Sequence, residues 1–152
     1  MAVILTAVAA CDDDDDNGGT DPDTEFEATL SGANEVPPVS TTATGSATLT
    51  VEGSEIVYRV DVVGLENVLV SHIHVGAEGE NGPVRMNLCG VPPDSPACST
   101  ETTGVLVEGS NGVTQDITFD SLVSAIRAGN AYVNVHTTQN TGGEIRGQIT
   151  PQ

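Results

Sequence analysis

Residues 55–63 alternate between apolar and polar positions. Ile56, Tyr58, Val60 and Val62 fall on one face, and Arg59 and Asp61 on the other. That is the period of a strand with one side buried. Similar runs at 26–32, 43–51, 68–75 and 84–88 predict four more strands, with a turn at 52–54. Segments 104–109 and 113–119 predict a hairpin about a turn at 109–112. Strands at 131–137 and 144–150 close the chain, joined by a turn at 141–143. One short helix interrupts them. Asp120 or Ser121 can cap it, Leu122, Val123 and Ile126 form its apolar stripe, and Gly129 can end it. The pattern predicts an all-β fold, a sandwich or barrel with one short helix, in a single domain over 26–150.

Alternation also assigns faces. Leu69, Ile73 and Val75 are predicted to point into the core, so His72 and His74 point out. Val133 and Val135 point in, so Tyr132, Asn134 and His136 point out. Ile145, Gly147 and Ile149 point in, so Glu144, Arg146 and Gln148 point out. Val68 and Val70 share the face of His72. Two valines there predict that this outer face is covered, by the Gly-rich loop at 76–83 or by the loop between Cys89 and Cys98.

His72, His74 and His136 are the only histidines in the chain. Two imidazoles at i and i+2 with a third on a strand of like orientation make a candidate metal site. Three neutral imidazoles suit copper, zinc or nickel, and the Irving–Williams order favours copper, with zinc as the alternative. Tyr132, Asn134, Glu144 and Arg146 are the candidates for orienting the rings. The competing reading is that His72 and His136 hydrogen-bond backbone and pin strands together.

Charge and the N-terminus narrow the setting. The chain carries 22 acids against four Arg and no Lys, for a net charge of −18. Nothing is available to neutralise phosphates, which excludes nucleic acid as a partner. Residues 2–10 form an apolar run too short to span a bilayer. Val8-Ala9-Ala10-Cys11 resembles a bacterial lipobox, so residues 1–11 read as a lipoprotein signal ending in a lipidated Cys11. Residues 12–25 begin with five Asp and hold no core-forming run. They read as a disordered acidic tether, and an acidic stretch there also resembles a surface-export signal of some bacterial lipoproteins. The implied location is the cell envelope, at the outer membrane or cell surface, with the membrane as a partner through the lipid anchor. In that oxidising compartment Cys89 and Cys98 are expected to form a disulfide, stabilising by roughly 2–3 kcal/mol. A soft metal-ligand pair is the alternative. The loop at 76–83 lacks the Lys of a phosphate loop and the spacing of an EF-hand, and plain turn chemistry is the expectation.

Three stretches resemble the CHRD domain, named from chordin. They are residues 30–38 (Leu-Ser-Gly-Ala-Asn-Glu-Val-Pro-Pro), Ser71-His72-Ile73-His74, and Tyr132-Val133-Asn134-Val135-His136-Thr137 with the segment 142–148. The resemblance covers roughly 26–150 and implies an extracellular domain with a possible extracellular protein partner. A more distant likeness joins His72-Ile73-His74 and Val135-His136, with the following Gly142-Gly143, to the copper-ligand strands of Cu/Zn superoxide dismutases. It implies a Greek-key, superoxide dismutase-like barrel with the metal on its outer face. No fourth histidine or zinc-ligand set accompanies it, and Glu144 follows Gly-Gly where those enzymes place Arg. The likeness therefore implies a reduced three-histidine site.

These observations predict a protein that binds a transition metal at the cell envelope for capture, storage or delivery. The alternative is a non-enzymatic adhesion or interaction module with structural histidines. No Ser-His-Asp order or placed carboxylate pair stands out. Copper redox chemistry of the dismutase type is the one enzymatic option.

Overall fold

A computed structural model describes residues 24–152. The predicted leader, Cys11 and most of the acidic tether lie outside the described residues. The strands are β1 (Glu25–Ser31), β2 (Thr44–Glu52), β3 (Glu55–Val63), β4 (Val68–Val75), β5 (Val84–Cys89), β6 (Thr103–Asn111), β7 (Ala131–Thr137), β8 (Ile145–Gln148) and the two-residue β9 (Thr150–Pro151). The helix α1 spans Phe119–Arg127. The fold is all-β with one short helix, as the alternation predicts.

The strands form one antiparallel sheet in the order β5-β4-β7-β8-β1-β2-β3-β6. Counted across the edge where β6 meets β5, the connections β3–β4 and β6–β7 each skip two strands, which is a Greek-key arrangement. The sheet curls until its ends meet. Tyr58 Oη donates to the Leu88 carbonyl at 2.8 Å, and Asn111 Nδ2 donates to the Asn87 carbonyl at 2.9 Å. Inside lie Phe26, Leu30, Leu49, Ile56, Ile73, Met86, Val133, Val135 and Ile145. Leu122 and Ile126 of α1 join that core. Cys89 and Cys98 form the disulfide.

Four local expectations change. The segment 113–119 is not a strand. β6 runs on to Asn111, whose side chain accepts from Val113 N–H at 2.8 Å while donating across the seam to β5. That two-way bond turns the chain out of the sheet. The helix is capped by Thr118, whose hydroxyl accepts from Ser121 N–H at 3.2 Å, rather than by Asp120 or Ser121. Leu69 is exposed, not core, because the pairing of β4 with β7 shifts register between Val68 and Val70. The last strand is broken at Ile149: β8 lies between β7 and β1, and the two-residue β9 beyond it pairs with β1.

Candidate metal centre

β4 and β7 are antiparallel neighbours, with Val70 opposite His136, His72 opposite Asn134 and His74 opposite Tyr132. Directly opposed residues share a face. Ser71 and Ile73 occupy the inner face. His72, His74 and His136 therefore project together from the outer one. Their ring centroids lie 5.1 Å (His72–His136), 5.7 Å (His72–His74) and 5.8 Å (His74–His136) apart. One ring nitrogen from each lies within 4.8 Å of the others.

The outer face here is covered, and β7 is buried along its whole length. The Gly-rich loop folds over Tyr132, whose hydroxyl accepts from Gly82 N–H at 3.0 Å. The loop after Cys89 closes over Val70, against which Gly90 packs. The sequence left this cover to one loop or the other, and both lie against the face.

Hydrogen bonds orient two of the rings. His74 Nδ1 meets the Gly82 carbonyl at 2.9 Å, and His136 Nδ1 meets the Thr141 carbonyl at 3.0 Å. A carbonyl only accepts, so each Nδ1 carries the proton and each Nε2 keeps its lone pair. His74 Nε2, His136 Nε2 and His72 Nδ1 are all buried without a partner. Burial pushes His72 down to about 4, with the neighbouring His136 and His74 adding to the effect. Burial also lowers His74 and His136, opposed in each by the carbonyl bond. The rings are thus neutral near pH 7, the state a metal requires. Two nitrogens bound to one ion at 2.0–2.1 Å stand roughly 3.4 Å apart, so small ring tilts would close the set. Among the described residues these three side chains can hold a metal ion.

The four proposed orienting residues divide. Tyr132 stacks on His74, with centroids 4.9 Å apart and planes 12° from parallel. Arg146 lies over the other part of this stack, its Cζ 4.5 Å from the Tyr132 centroid. It donates to the Asn34 carbonyl at 2.6 Å and to Asn81 Oδ1 at 3.0 Å, tying two loops together. Glu144 turns away from the rings. It accepts from Thr137 at 2.7 Å, Thr41 at 2.8 Å and Asn140 at 3.1 Å. Burial pushes its carboxyl up, but these bonds together hold it below its ordinary value. Glu144 thereby braces the turn whose Thr141 carbonyl holds His136. Asn134 sits between His72 and Arg146 in the cross-strand row.

Sequence reading missed Glu35. It is buried, Oε1 has no partner, and burial raises its carboxyl to about 7 against the lowering effect of Arg146. The available signal was a lone acid inside the Pro-flanked segment 34–38.

No curated protein and no solved structure matches the chain. The model of one family, the CHRD domain, matches residues 26–149. That span takes in the segment holding Glu35, all three histidines and the turn that braces His136, and the chain belongs to the CHRD-domain family.

Proposed function

We propose that this protein holds a transition metal ion through His72, His74 and His136 and serves metal capture, storage or delivery at the cell envelope. Copper is the favoured ion and zinc the alternative, because three imidazoles without a thiolate or carboxylate follow the Irving–Williams order. Lipidation at Cys11 would hold the domain at the membrane. The observation that carries this reading is that one ring nitrogen of each of the three histidines lies within 4.8 Å of the others, while Nδ1–H···carbonyl bonds leave the Nε2 lone pairs of His74 and His136 buried and a nitrogen of His72 is buried without a partner. A buried polar atom without a partner is costly, and a cation would satisfy all three at once.

The same bonds favour a second reading. They pin the Gly-rich loop and the turn after β7 to the barrel, as structural histidines in an interaction module with an extracellular protein partner would. Titration with Cu(II), Cu(I) and Zn(II), by competition against chelators, separates the two. The metal reading expects one ion per chain, with affinity falling by at least about 100-fold in each of His72→Ala, His74→Ala and His136→Ala, more than loss of a ring-orienting partner costs. Weak binding that these substitutions leave unchanged would return the histidines to structure.

A further inference from the structure

The three imidazoles bring no negative charge to an ion held between them. Among the described residues their group includes no thiolate and no carboxylate. His74 is 7% exposed and His136 8%, and each of the three rings has a buried nitrogen without a partner. Among the described residues, the charged side chain outside the group that acts on these rings is Arg146, and it is positive. Its guanidinium lies over Tyr132, which stacks on His74. Glu144 gives both of its oxygens to Thr41, Thr137 and Asn140 instead.

Such a site discriminates by charge. The cost of taking an ion out of water rises with the square of its charge, so at equal radius a monovalent ion carries about a quarter of the divalent cost. Neutral ligands offset little of that cost, and the positive charge of Arg146 adds repulsion that is twice as large for a divalent ion. Ligand number acts in the same direction. Zinc in closed sites takes four ligands, and this group has three. A closed-shell monovalent ion such as Cu(I) is satisfied by three. Exposed acids such as Glu108 and Asp116 are screened by salt and act little on a buried ion.

We infer that the site formed by His72, His74 and His136 selects ions by charge and takes copper as Cu(I), in preference to Cu(II) and Zn(II). The inference rests on the metal-site reading and narrows it. It makes the protein a receiver of reduced copper. Arg146 gains a specificity role, that of a fixed positive charge beside neutral ligands.

Affinities of the full chain for Cu(I), Ag(I), Cu(II) and Zn(II), measured by competition with chelators and for Cu(I) without oxygen, test this. Ag(I) reports the monovalent preference free of redox chemistry. Cys11→Ser is used throughout, because a free thiolate takes soft ions by itself. Only binding that His74→Ala removes is counted. Cu(I) and Ag(I) should each bind at one ion per chain, and Cu(I) should bind at least about 100-fold more tightly than Cu(II) or Zn(II). A smaller ratio, or the reverse order, overturns the inference and leaves the metal site standing. Ag(I) bound more weakly than Zn(II) does the same. If His74→Ala removes no binding of any of the four ions, both readings fall.

Discussion

His74 and His136 each present Nδ1 to a backbone carbonyl and keep Nε2 buried without a partner, an arrangement that suits a metal ligand and also ties each ring to a loop. The three histidines were legible in the sequence because alternation alone puts His72, His74 and His136 on one face. Their rings' orientation was not, because Gly82 and Thr141 lie on loops whose path no periodicity encodes. Glu35 was hidden for a related reason: it sits in an irregular segment, and its burial against Gly143 comes from loop packing that no periodicity encodes. Gly143 has φ of +125°, and a Cβ there would press on Asn134 and Glu35. Gly143→Ala is therefore strained in backbone and crowded in space. It should destabilise the domain by about 1–3 kcal/mol, measured by urea unfolding of the metal-free protein. An unchanged midpoint would mean that the turn relaxes freely around the added methyl.

At the level of elements, regular alternation told the truth about the strands and misled at their ends. Ile56, Tyr58, Val60 and Val62 are all buried as read, and Val57 and Val63 of the same strand are exposed. The segment 113–119 has strand-like composition, yet it leaves the sheet because the Asn111 side chain caps β6 and bonds to β5. A side chain that bonds its own backbone two residues on competes with the ladder, and nothing in hydropathy reports it. The helix start was misplaced for the same kind of reason: Thr118, before the apolar stripe, is the residue whose hydroxyl reaches Ser121 N–H. Thr118→Ala should cost about 1 kcal/mol. Because α1 contributes Leu122 and Ile126 to the one core, the loss should appear in global thermal unfolding. A change confined to local hydrogen exchange of α1 would show instead that the helix is energetically separate from the barrel.

For the whole molecule, the buried ionisable groups pull stability in opposite directions with pH. The three histidines have folded values lowered from 6.5, His72 to about 4. Between about 4 and 6.5 the unfolded chain binds more protons at these sites, so stability rises with pH through that window. Glu35 works the other way. Its folded value is raised from 4.5 to about 7, so the folded state binds the extra proton and stability falls as pH rises from 4.5 to 7. In the metal-free domain the two trends partly cancel. Glu35→Gln removes only the second, so its advantage over wild type should be absent below pH 4.5, grow to pH 7, and reach at most about 3 kcal/mol. Chemical unfolding of both proteins across pH 4–8 measures that gap. A constant gap would mean that Glu35 is not buried as a carboxyl in the folded domain. On the proposed metal-site reading, a bound ion reshapes the same profile. The ion binds only neutral imidazoles, so the stability it adds should be full near pH 7 and vanish as pH falls through the histidine values. A domain whose metal-dependent stability persisted to pH 3 would be holding the ion through groups other than His72, His74 and His136.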